Sequence, residues 1–124
     1  MTTQNETTAI YVRTAVRSAA NDQSLAVQEQ ACRSYAAARG WRVGEVFADE
    51  GTSGTQRDRP GMNRLLTAVR DGVVERMLIA RPDRLSRSYT DIKAIVDEME
   101  AQSVECVSVE QPSDLQALWP AESE

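Results

Sequence analysis

Leu78-Ile79-Ala80-Arg81-Pro82-Asp83-Arg84-Leu85-Ser86-Arg87 reads as a buried strand that runs straight into a cationic turn. Arg84 and Arg87 therefore stand just past a strand end. Two guanidiniums set so close repel one another unless an anion lies between them, and arginine's rigid fork of donors suits a phosphate. The same residues would also serve an ordinary surface loop in which Asp83 pairs with Arg87. What weighs against the ordinary reading is that two further arginines, Arg13 and Arg59, fall at comparable places in the chain.

Outward from that stretch, strand and helix patterns alternate, and each boundary has a local chemical reason. Ala9 to Arg13 is a short β-rich run. From Ser24 to Arg39 a helical face carries Leu25, Cys32, Tyr35 and Ala36, with Ser24 as cap and Gly40 as stop. Trp41 to Ala48 returns to strand composition, and Asp49-Glu50-Gly51-Thr52-Ser53-Gly54-Thr55 is a polar, glycine-rich loop. Pro60 suits the first helical position; Met62, Leu65, Leu66 and Val69 then repeat at helical spacing until Gly72. Arg76 to Ala80 forms the third strand. Ser88-Tyr89-Thr90-Asp91 resembles a capping box and opens a helix with Tyr89, Ile92, Ile95, Val96 and Met99 on one stripe. Val104 to Val109 makes a fourth strand.

The order βαβαβαβ with right-handed crossovers predicts an α/β fold, a mainly parallel four-stranded sheet with helices on both faces. The expected organisation is a flexible N-terminus over 1–7, one folded domain over 8–112 and an irregular acidic tail over 113–124. Ligands of such sheets bind outside the carboxyl ends of the strands. The segments after strands one, two and three all lead to that edge. Arg59 at the start of the second helix is expected to have free amide N–H groups beside it, which would reinforce the attraction for an anion. Arg13, Arg59, Arg84 and Arg87 could then ring one phosphate and stabilise a pentacoordinate transition state without a metal. Each also has a plain alternative: Arg13 paired with Asp49, Arg59 on the surface beside Asp58.

Composition narrows the function classes. The 124 residues suffice for one core, and 41% of them are hydrophobic. No apolar run approaches the roughly 18 residues of a membrane helix, and the polar start lacks a signal-peptide pattern, so a soluble, cytoplasmic chain without a membrane partner is expected. There is no histidine, which excludes Ser-His and Cys-His catalysis. Cys32 and Cys106 form no C-x-x-C pair and read as buried reduced thiols; no metal site and no cofactor is expected. The net charge of −5 is unevenly spread, because residues 56–88 carry eight Arg against four acids and residues 89–124 carry one Lys against nine. A basic middle can meet phosphate, whereas the acidic end opposes a long DNA track, so DNA is expected to bind weakly to this chain alone.

Five motifs in register, Tyr11-Val12-Arg13, Gln23-Ser24-Leu25-Ala26-Val27-Gln28, Asp49-Glu50-Gly51-Thr52-Ser53-Gly54, Arg59-Pro60-Gly61-Met62 and Asp83-Arg84-Leu85-Ser86-Arg87-Ser88, resemble the catalytic domain of the serine recombinases, the resolvase and invertase family. The resemblance implies a resolvase-like fold and a family chemistry in which a serine attacks a DNA backbone phosphate, forms a 5′-phosphoserine link and exchanges strands in a tetramer without metal or ATP. It also implies that Arg13, Arg59, Arg84 and Arg87 correspond to the family's phosphate-binding arginines, with Gln28, Ser53 and Asp83 supporting them.

Two departures qualify it. The family pattern Tyr-x-Arg-x-Ser reads here Tyr11-Val12-Arg13-Thr14-Ala15, so the nucleophile position holds a methyl group, and alanine cannot form the phosphoester. The family's long dimerising helix and DNA-binding module have no evident counterpart in Leu115 to Pro120. Three readings follow. One is a recombinase-like domain that keeps its phosphate pocket without cutting DNA alone, acting as a homo-oligomer or beside a full-length recombinase. The second is an active component that uses Ser18, or whose serine has been removed. The third is a nucleotide- or anion-binding α/β regulatory domain.

Overall fold

A computed structural model describes residues 7–14, 24–50, 59–81 and 89–109. Seven elements follow in order: β1 Thr7–Arg13, α1 Leu25–Arg39, β2 Arg42–Asp49, α2 Pro60–Arg70, β3 Arg76–Ile79, α3 Tyr89–Ala101 and β4 Glu105–Ser108. All strand pairs are parallel, in the spatial order β2-β1-β3-β4. The α/β expectation therefore holds in element number, element type and strand direction.

Local chemistry sets the helix ends. Ser24 accepts from the Val27 amide through its hydroxyl at 3.1 Å, and Gly40 closes α1 at φ 75°, a left-handed conformation that costs a residue without Cβ little. Pro60 opens α2, where its missing N–H is no loss. Some boundaries differ from the sequence reading. β1 begins at Thr7, which pairs with Arg42, and β2 extends through Asp49, assigned above to the polar loop. Asp49 stays in the strand because its backbone lies opposite Arg13 and its carbonyl accepts from Thr14 N–H at 3.1 Å.

From β1 the chain crosses in one direction to β2, then back past β1 to β3 and onward to β4. Crossovers of one hand consequently put α1 on one face and α2 with α3 on the other. The packing follows this division. Ile10, Val12, Leu78 and Val107 meet Cys32 and Ala36 of α1. Ala9, Tyr11, Phe47, Met77, Ile79 and Cys106 meet Met62, Leu65 and Val69 of α2 and Ile92, Val96 and Met99 of α3. Each fully buried aliphatic side chain of this kind contributes about 1.5–3 kcal/mol. Both cysteines are buried and free, and Cys106 donates its thiol to the Met99 sulfur at 3.4 Å. Among the described residues no helix is long and apolar enough to cross a membrane. The reversal of direction between β1 and β3 makes their carboxyl ends a topological switch point, where parallel sheets open a crevice.

Candidate active site

β1 delivers Arg13 to that edge of the sheet. Side chains alternate along a strand, so Ala9, Tyr11 and Arg13 share the α2/α3 face, and Phe47 and Asp49 of β2 share it with them. Arg13 is 2% exposed, Arg59 3% and Asp49 4%, and these are the buried charged side chains among the described residues. Two guanidiniums and one carboxylate thus lie out of water at one edge, where buried charge is tolerated only when it is paired and hydrogen-bonded. Arg59 is no surface residue beside Asp58: as the N-cap of α2, in extended conformation, it folds inward.

The carboxylate is the hub. Asp49 Oδ1 accepts from Gly61 N–H at 2.7 Å, and Oδ2 accepts from Met62 N–H at 2.9 Å and from the Tyr11 hydroxyl at 2.7 Å. This corrects the expectation of free amides at the start of α2. Pro60 has no N–H, Gly61 and Met62 donate to Asp49, and Asn63 donates to the Arg59 carbonyl at 2.9 Å. The helix terminus is capped from β2, so its first amides are already spent within the fold. Gly61 is required for this contact, since a Cβ there would lie 2.5 Å from the Ala48 carbonyl oxygen and 2.9 Å from Asp49 Oδ2.

Tyr11 reports how the charges are gathered. Burial, above all, pushes its phenol well above the ordinary value of 10.0, and Asp49 adds to the rise, while Arg59 and then Arg13 pull it down. Both guanidiniums consequently sit close enough to act on one hydroxyl. The phenol stays protonated and serves as donor to Asp49.

Gln28 supports the same strand end from the other face. Its Nε2 donates to the Arg13 carbonyl at 3.0 Å and its Oε1 accepts from the Arg13 N–H at 3.1 Å. β1 is paired with β3 only through Ile10 and Leu78, and beyond that point the strands part. The primary amide of Gln28 takes the place of a strand neighbour there and satisfies the Arg13 backbone N–H and C=O. Ala15, Ser18, Ser53, Asp83, Arg84 and Arg87 lie outside the described residues. The structure brings together Arg13, Arg59 and Gln28, and adds Tyr11 and Asp49, which the sequence reading had not counted among the site residues. A carboxylate ending a strand of apolar pattern is the signal that could have found Asp49.

Residues 8–118 match the family model of the resolvase N-terminal domain. The chain belongs to the resolvase family. This resolvase domain is 35% identical over 99 residues to an integrase-like protein, y4lS, of Sinorhizobium fredii, an alignment covering 79% of this chain and 49% of that relative. Among solved structures it resembles the N-terminal catalytic domain of TP901-1 integrase, with TM-score 0.81 and 29% identity over 90% of this chain and 82% of that one. It also resembles the C-terminal catalytic domain of ISC1926 TnpA, an IS607-like serine recombinase, with TM-score 0.72 and 30% identity over 83% and 70%. The chain spans half or less of the length of the curated relatives it matches. The fold and family expected from the five motifs are those found.

Proposed function

We propose that this resolvase-family domain holds a DNA backbone phosphate at the carboxyl edge of its sheet, in the manner of a serine recombinase catalytic domain, and that with Ala15 at the nucleophile position it does not cut DNA alone. The observation that carries the first half is the pair of buried guanidiniums, Arg13 and Arg59, drawn together around Tyr11 and Asp49 at the switch point. A phosphodiester is an anion that the planar fork of an arginine grips well, and Arg84 and Arg87, which follow β3 in the sequence, would join Arg13 and Arg59 around it. Gln28 fixes the Arg13 backbone, and the family resemblance gives Ser53 and Asp83 supporting roles.

The chemistry of this reading is one transesterification. A serine oxygen attacks phosphorus as the bond from phosphorus to the 3′ oxygen breaks; the serine proton is lost, and the 3′ oxygen leaves as a hydroxyl once it takes up a proton. The arginines oppose the charge that develops on the nonbridging oxygens. The Ala15 side chain is a methyl group with no hydroxyl, so the step does not start here, and the domain acts as a DNA- or recombinase-associated partner, as a homo-oligomer or beside a full-length recombinase. The test is incubation with supercoiled DNA, then denaturing gels that retain a phosphoserine link. No adduct is expected from the chain as it is, and a trace from Ala15→Ser. An adduct on the unsubstituted chain mapped to Ser18 would replace this reading with that of an active component.

A further inference from the structure

We infer that Tyr11 is a positioning residue for Arg59: its hydroxyl fixes the Asp49 carboxylate, and that carboxylate holds the first donor amides of α2 and with them the arginine at the helix N-cap. The inference rests on the proposed phosphate-binding role of Arg13 and Arg59. Asp49 Oδ2 is shared between Tyr11 Oη at 2.7 Å and Met62 N–H at 2.9 Å, while Oδ1 takes Gly61 N–H at 2.7 Å. Three donors on two oxygens define the plane of the carboxylate and so the seat of the helix. Removing the phenolic donor frees the carboxylate to turn on its two amides alone.

The relay also sets one arginine against the other. Tyr11 lies two residues before Arg13 on the same face of β1, so the strand that presents Arg13 presents the hydroxyl that anchors Arg59 through Asp49. The Tyr11 ring is fully buried in the apolar cluster beneath α2. Its packing would be equally served by phenylalanine; the oxygen is what the core does not need and the site does.

Tyr11→Phe in the full 124-residue chain, labelled with nitrogen-15, separates the two roles. The readouts are the Arg59 and Arg13 Nε–H resonances and a titration with inorganic phosphate. The expected result is a displaced Arg59 resonance with Arg13 little moved, and phosphate binding weakened about three- to tenfold. Tyr11→Phe combined with Arg59→Lys is expected to bind no more weakly than Arg59→Lys alone. Asp49→Asn, which leaves the Tyr11 ring in place, should displace the same resonance and covers the case in which Tyr11→Phe fails to fold. An Arg59 resonance unmoved in the folded variants, or effects of Tyr11→Phe and Arg59→Lys that add, overturns the inference. If the unsubstituted chain binds neither phosphate nor DNA, the proposed function falls and the inference with it.

Discussion

The Asp49 carboxylate accepts from three donors, so Asp49→Asn turns an acceptor oxygen into a donor facing donors. The expected loss is about 1–3 kcal/mol of stability, read as a lower urea midpoint. Gln28→Leu is a second test at this scale: the Arg13 peptide loses both of its side-chain partners, and a loss of roughly 1–3 kcal/mol is expected by the same measurement. Cys32 gives a pH dependence. Burial, with Glu29 as the lesser cause, pushes its thiol from 9.0 up to about 12. The folded chain therefore keeps a proton that the unfolded chain releases above pH 9. The contribution is complete below that pH and is lost as pH rises towards 12. Urea midpoints should fall over this window, and fall less steeply in Cys32→Ala, with Tyr11 supplying the part that persists.

At the scale of elements, the seat of α2 on β2 is the vulnerable contact. Gly61→Ala would place a methyl 2.5 Å from the Ala48 carbonyl oxygen, and backbone atoms cannot swing aside as a flexible side chain can. The helix N-terminus must lift, which separates Gly61 and Met62 from Asp49 and displaces Arg59. The expected cost is about 1–3 kcal/mol, with weaker phosphate binding in the same variant. Alanine's higher helix propensity predicts the opposite sign if the helix stood alone, so a stabilised Gly61→Ala would show that the contact with β2 is dispensable.

For the whole molecule, the uneven charge along the sequence bears on DNA. The basic residues 56–88 supply Arg59, Arg84 and Arg87, while residues 89–124 carry nine acids against one Lys. Phosphate neutralisation governs nonspecific affinity, and its loss with salt is steep. Weak, strongly salt-sensitive binding to duplex DNA is expected, measurable by fluorescence anisotropy. Submicromolar affinity that survives about 0.2 M salt would contradict it. Arg59→Ala should lower the binding further without unfolding the domain, since the amides of α2 are held by Asp49 and not by the arginine side chain.

The sequence by itself determined the element order, the parallel sheet and the family. Those rest on local signals: apolar periodicity, Ser24 and Gly40 at the ends of α1, Pro60 at the start of α2, and five motifs in register. It also put Arg13 and Arg59 at the same edge, because a parallel sheet sends every strand end there. What only the tertiary structure decided is how that edge is wired. Asp49 sits in a polar stretch and reads as loop, yet it is buried, because β1 pairs with its backbone while Tyr11 and two α2 amides satisfy its side chain. The amides at the start of α2 look available in sequence and are spent in the fold. Gln28 reads as one polar residue on a helix, and becomes a strand's missing neighbour because β1 and β3 part beyond Ile10 and Leu78. Each of these depends on partners 12 to 38 residues away, and local pattern carries no information about which distant donor will meet which acceptor.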